Sequence, residues 1–166
     1  MNLIVYYSRK GENYFNGSIK SISKGNTEIV AEYIQKAVGG DLFEIETVHE
    51  YSKDYNECTK EAMAELKTNA RPEIKGYVED MSQYDDIYVG YPNWWGTCPM
   101  CIFTFLDAYD LSGKTIHPFC TNEGSGMGNS EKDLKKHYPS AHIVSGLAVH
   151  GSEAVNSEEK VKGWVK

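Results

Sequence analysis

Short apolar runs that read as strands alternate with segments of helical periodicity along this chain, and that alternation most restricts what it can fold into. Leu3-Ile4-Val5-Tyr6-Tyr7 is almost continuously apolar, as suits a strand covered on both faces. From Thr27 to Val38 the residues Ile29, Val30, Tyr33, Ile34, Ala37 and Val38 recur at helical spacing, and Gly39-Gly40 ends the helix. Asp41 to Thr47 is a more polar strand suited to a sheet edge, and Tyr55 to Asn69 is a helix with Cys58, Ala62, Met63 and Leu66 turned inward. Arg71 to Tyr84 is a polar connection around Pro72 and Gly76, leading to a strand over Ile87 to Tyr91. An apolar helix over Pro99 to Tyr109 follows, then a strand over Thr115 to Thr121 in which Pro118 has no N–H for a ladder. Ser130 to Tyr138 reads as a helix with Ser130 as N-cap, and Ile143 to Val149 as a last strand broken near Gly146. Ser157 reads as the cap of a terminal helix ending near Val165.

Five such strands with intervening helices predict an α/β fold: an open, doubly wound, five-stranded parallel sheet with helices on both faces. Right-handed crossovers permit the order 2-1-3-4-5. A length of 166 residues with 40% apolar content suits one domain spanning residues 1–166 around one sizeable core. In that order a ligand crevice lies beyond the carboxyl ends of strands 1, 3 and 4, so the unusual residues are expected after those strands.

Composition narrows the partners. The formal charge is −7 and no basic stripe is present, which argues against nucleic acid; the acidic surplus suits docking onto a basic protein. No apolar run approaches the ~20 residues of a membrane span, and the segment before the first strand is too short for a signal peptide. Cys58, Cys98, Cys101 and Cys120 are too sparse for a disulfide scaffold. A cytoplasmic location is the expectation. The five histidines show no ligand spacing, so no metal site is expected.

After the first strand come Ser8-Arg9-Lys10, an insert from Gly11 to Ser23, and then Lys24-Gly25-Asn26-Thr27 opening the first helix. Hydroxyls, a glycine and free N–H groups at a helix N-terminus suit an anion such as a phosphate, and they equally suit an ordinary capped helix. After the third strand, Pro92-Asn93-Trp94-Trp95-Gly96-Thr97 places two adjacent tryptophans in a turn. A flat heteroaromatic ligand would stack on them; the other reading is that both rings cap the core. After the fourth strand, Asn122-Glu123-Gly124-Ser125-Gly126 allows backbone to lie against such a ligand. Asn129 stands where a dinucleotide fingerprint would have its third glycine, which disfavours a nicotinamide-dinucleotide domain.

Tyr7-Ser8, Gly25-Asn26-Thr27 and Tyr91-Pro92-Asn93-Trp94-Trp95-Gly96 resemble the flavodoxin family, in its short bacterial branch with a Tyr-Pro-x-Trp-Trp-Gly loop. The likeness continues through Pro118-Phe119-Cys120-Thr121 and the Gly-Ser-Gly turn. The resemblance implies FMN, with Ser8, Gly25, Asn26 and Thr27 holding the phosphate and Lys24 in a slot where the family usually has a hydroxyl. The loops Pro92 to Thr97 and Asn122 to Gly126 would then flank the isoalloxazine. Two departures stand out: the long insert, whose Tyr14 and Phe15 either cover the flavin or anchor the excursion, and the lack of an aromatic residue in the loop after strand 4.

The expected function is electron transfer through bound FMN to redox partner proteins or a small acceptor, by a monomer or homodimer. The alternative is an FMN-dependent reductase passing hydride from NAD(P)H to a quinone-type acceptor. A third reading takes Cys98-Pro99-Met100-Cys101 as a C-x-x-C motif for thiol-disulfide exchange.

Overall fold

The computed structural model describes residues 1–166. Its strands, in chain order, are β1 (Asn2–Tyr6), β2 (Gly11–Phe15), β3 (Ser18–Ile22), β4 (Asp41–Glu44), β5 (Asp86–Pro92), β6 (Thr115–Asn122), β7 (His142–Ile143) and β8 (Leu147–His150). The helices are α1 (Asn26–Val38), α2 (Tyr55–Lys67), α3 (Met100–Asp107), α4 (Ser130–His137) and α5 (Glu158–Trp164). The main sheet runs β4-β1-β5-β6-β7 with every pairing parallel, and β8 also pairs with β6. This is the expected 2-1-3-4-5 order, with the fifth position shared by β7 and β8.

Alternation along β1 divides the core between the two sheet faces. Leu3, Val5 and Tyr7 enter a large cluster that includes Ile102, Phe103, Phe105 and Leu106 of α3 and Leu134 of α4. Ile4 and Tyr6 enter a smaller one with Val30, Ala31 and Ile34 of α1 and Val161 of α5. A central strand buried on both faces is favoured because each fully buried Leu, Ile or Val contributes about 1.5–3 kcal/mol. No helix is long and apolar enough to cross a membrane.

Pro118 explains the broken fifth position. Ile116 pairs with Ile143 and Phe119 with Leu147, so two residues of β6 face three between β7 and β8. A residue that cannot donate to a ladder is accommodated where the neighbouring strand is interrupted. A Cβ on Gly146 would lie 2.8 Å from the Pro118 carbonyl oxygen, so the break is closely packed.

One expected cap is displaced, and the other keeps its N-cap position without a side-chain bond to the helix. Asn129, not Ser130, occupies the N-cap of α4; Ser130 is buried, donates its hydroxyl to the Met127 carbonyl at 2.6 Å and receives the Tyr91 hydroxyl at 2.9 Å. Ser157 does precede α5, but its hydroxyl turns back to the Ala154 carbonyl at 2.7 Å instead of the helix amides. The insert also has regular structure: β2 and β3 pair antiparallel as a separate two-stranded sheet.

Candidate functional site

The chain ends of β1, β5 and β6 open on one edge of the sheet, and their loops surround a cleft of about 330 Å³. Its floor is Pro92 and Thr121 at the ends of β5 and β6. One wall is Tyr55, Cys58, Thr59 and Ala62 of α2 with Trp94 and Trp95, and the other is Asn122, Glu123, Ser125 and Gly151. Asn26 at the start of α1 lies at one end, and Arg9, Asn13 and Tyr14 complete the boundary.

The end beside α1 has the makings of an anion site. Gly25 is the N-cap, in extended conformation and with no side-chain cap. The Glu28 N–H donates to Ser8 Oγ at 3.1 Å, and the Ile29 N–H makes the first intrahelical bond to the Gly25 carbonyl at 3.3 Å. The N–H groups of Asn26 and Thr27 are left without acceptors in the chain, as at any helix start. Gly25 is required sterically, because a Cβ there would sit 2.0 Å from Ser8 Oγ and 2.8 Å from the Arg9 carbonyl oxygen. The Thr27 hydroxyl is buried and shares a 2.8 Å hydrogen bond with that of Thr121, tying α1 to the end of β6. Lys24 is directed elsewhere: its ammonium pairs with Glu32 on the exposed side of α1 and does not line the cleft.

The loops after β5 and β6 are bonded into one unit. Asn93 donates through Nδ2 to the Gly126 carbonyl at 2.9 Å and accepts the Gly96 N–H on Oδ1 at 2.8 Å. The Asn129 N–H reaches the Gly96 carbonyl at 2.6 Å, and the Gly124 N–H is held by Asn122 Oδ1 at 2.8 Å. The contact is close enough that a Cβ on Gly128, whose φ is +55°, would lie 2.5 Å from the Gly96 oxygen. Thr97 is buried away from the cleft, with its hydroxyl donated to Asp133.

The two tryptophans divide the two readings of them. Trp94 is half-buried and packs edge-on against Tyr7 and Tyr51, with centroids 5.3 and 5.0 Å away, while still lining the cleft. Trp95 is 53% exposed at a φ of +56° and donates its indole N–H to the Thr59 carbonyl at 2.8 Å. A large exposed ring held by a hydrogen bond in an uncommon backbone conformation is not there for core packing.

Glu123 carries the cleft's unbalanced polar group. Its Oε1 accepts the Asn16 N–H at 2.9 Å from the tip of the β2–β3 hairpin. Its Oε2 lies 3.1 Å from His150 Nδ1, which is hydrogen-bonded with Ser152 Oγ at 2.9 Å, so Oε2 is buried without a donor of its own.

Of the expected residues, the cleft thus gathers Asn26, Pro92, Asn93, Trp94, Trp95, Asn122, Glu123 and Ser125, whereas Gly25, Thr27, Gly96, Gly124 and Gly126 adjoin these in the chain and do not line it. Ser8 faces a second, more polar cavity behind Arg9 while anchoring the start of α1. The α2 wall carries no motif in the sequence: Cys58 and Ala62 sit on the inward stripe of the helix, and that stripe runs into the cleft. Burial pushes the Cys58 thiol up to about 11. Cys98 and Cys101 are buried reduced thiols, and burial raises both well above the ordinary thiol range. Exchange chemistry needs the opposite shift and an accessible sulfur.

A slot lined by Tyr14, Tyr55, Trp94 and Trp95 on one part and by Asn122, Glu123 and Ser125 on another, with the start of α1 at one end, fits a flat ring bearing an anionic tail. A family model described as flavodoxin matches residues 14–166. Among solved structures, a provisionally named flavoprotein from Bacteroides eggerthii is 32% identical, with a TM-score of 0.80, covering 99% of this chain and 94% of that one. One from Bacteroides uniformis is 29% identical with a TM-score of 0.80, covering 99% and 96%. A flavoprotein from Lactobacillus acidophilus, crystallised with FMN, is 24% identical with a TM-score of 0.71, covering 99% and 98%. No protein of curated function matches the chain. The family match over nearly the whole chain, and the 32% identity, show that this protein belongs to the flavodoxin family.

Proposed function

We propose that the cleft binds FMN and that the chain transfers electrons through it. The observation that carries this reading is the start of α1, where the amides of Asn26 and Thr27 have no acceptor in the chain and Asn26 lines the same slot as Trp95 and Asn122, Glu123 and Ser125 of the loop after β6. The donors suit a phosphate monoester, whose charge is favoured at the positive end of a helix. The FMN found in the Lactobacillus acidophilus relative supports the choice of ligand.

Bound FMN would supply one- and two-electron redox chemistry. The residues of this chain would set its surroundings. Trp94 and Trp95 present aromatic surface to the ring, and the pinned Asn93–Gly96 and Asn122–Gly126 backbone presents polar groups to its edge. Glu123 places a carboxyl oxygen without a donor beside the same slot, a poor neighbour for added negative charge. Electron transfer between proteins needs only a reachable ring edge, and the exposed Trp95 marks that rim.

The second reading, a reductase taking hydride from NAD(P)H for a quinone-type acceptor, is favoured by Gly124 and Ser125, exposed residues with no ring to cover a ligand on that side. Purified holoprotein separates the two. A carrier shows flavin bands in the visible spectrum but does not oxidise NAD(P)H by itself at any appreciable rate. Prompt oxidation of NAD(P)H would establish the reductase, and the absence of any flavin uptake would remove both.

A further inference from the structure

The hairpin that interrupts the anion-binding loop is well specified in itself and weakly seated. Gly11 to Phe15 pair residue by residue with Ile22 to Ser18. The Asn16-Gly17 turn, with φ of +52° and +90°, is the two-residue connection that a twisted hairpin prefers. None of its residues belongs to either hydrophobic cluster.

What holds it down is polar, and the holds are on opposite walls of the cleft. At the base, Glu12 Oε1 accepts the Tyr55 N–H of α2 at 2.8 Å, while Arg9 donates to the Glu12 carbonyl at 2.8 Å and the Ser52 carbonyl at 3.0 Å. At the tip, the Asn16 N–H reaches Glu123 Oε1 at 2.9 Å, joining residues 107 positions apart. Between the two anchors, Asn13 and Tyr14 border the cleft, and the Tyr14 ring, 43% exposed, lies 6.0 Å from that of Tyr55. Phe15 is turned away, under the Lys20 ammonium at 4.9 Å.

We propose that this hairpin is a strap across the cleft, anchored at Glu12 and latched at Glu123, whose opening gates the entry and escape of the flavin. The inference rests on the FMN reading above. A two-stranded unit outside the core opens at a small fraction of the global unfolding free energy, so the latch decides how often it does so. The insert therefore acts on access, while the loops after β5 and β6 act on fit. A gate has a kinetic signature that lost contacts lack: loosening it speeds binding and release together, whereas removing a ligand contact speeds release alone.

The test is stopped-flow fluorescence of FMN association with the apoprotein, and release from the holoprotein by dilution and chase. The wild type is compared with Glu123→Ala, Glu12→Ala and a strapless chain in which a short glycine linker replaces residues 11–23. Loss of one hydrogen bond to a carboxylate is expected to raise both rates about tenfold in Glu123→Ala. Glu12→Ala should move both in the same direction, with the dissociation constant changing less than either rate. Trypsin cleavage after Lys20 in the apoprotein should slow when FMN is added. A rise in release alone, or rates within about twofold of wild type in both point variants, overturns the strap even if the strapless chain fails to fold. Absence of saturable FMN binding to the wild type is a different result, which removes the cofactor reading itself.

Discussion

The cleft is bordered by two kinds of structure. The loops after β5 and β6 are extensions of central strands, cross-bonded through Asn93, Gly96, Gly126 and Asn129 and continuous with the large core cluster through Trp94. The β2–β3 hairpin is its own small sheet, tied to the rest by a few polar contacts and largely exposed. Geometry that must be fixed is borrowed from the core, whose packing tolerates little displacement. Geometry that must give way is attached from outside, where opening is inexpensive in free energy.

The sharpest way to break this contrast is on the fixed side. Gly25→Ala drives a Cβ into Ser8 Oγ and the Arg9 carbonyl, so the start of α1 must shift. FMN affinity measured by fluorescence titration should fall roughly 5- to 150-fold, corresponding to the 1–3 kcal/mol typical of overpacking. Asn93→Ala removes the hydrogen bond that joins the loop after β5 to the Gly126 carbonyl and the one that holds the Gly96 N–H within its own loop. Urea unfolding of the apoprotein should show a loss of about 2 kcal/mol, at about 1 kcal/mol per bond, together with weaker FMN binding.

The tryptophans refine the comparison within one loop. Trp94→Ala, emptying a half-buried ring site against Tyr7 and Tyr51, should destabilise the apoprotein by about 2–3 kcal/mol, below the range for fully buried aromatics. Trp95→Ala should leave unfolding within about 0.5 kcal/mol of wild type while weakening FMN binding by about 1 kcal/mol through lost stacking. The smallest effect belongs to the hairpin: Tyr14→Ala should change stability by less than about 0.5 kcal/mol, read by the same urea titration. A large loss there would mean that the hairpin is part of the folding core, contrary to the contrast drawn above.

How much of this was legible in the sequence follows the same division. The sheet order was readable because strands such as Leu3–Tyr7, buried on both faces, announce themselves by continuous apolarity. The break in the last strand was readable at Gly146, although its cause, Pro118 on the neighbouring strand, emerges only from the register. The three crevice loops were readable because tryptophans and glycines are conspicuous in turns. The hairpin carries one local signal, Asn16-Gly17 between two short polar strands, but it lacks the apolar alternation by which a strand is usually recognised. Lys24 illustrates the limit at single residues: its place in the motif says nothing of the pull of Glu32, two helical turns away. The α2 wall and the Glu123–Asn16 bond depend on long-range packing that no local pattern encodes.

The central claim is that one slot receives both a flat ring and its anionic tail. It is tested most directly by titrating the apoprotein with FMN and, separately, with riboflavin, which has the same ring and no phosphate. The account predicts saturable one-to-one quenching by FMN with at least about 100-fold preference over riboflavin, from charge-assisted hydrogen bonds at the start of α1. Equal affinity for the two, or no saturable binding of either, would contradict it.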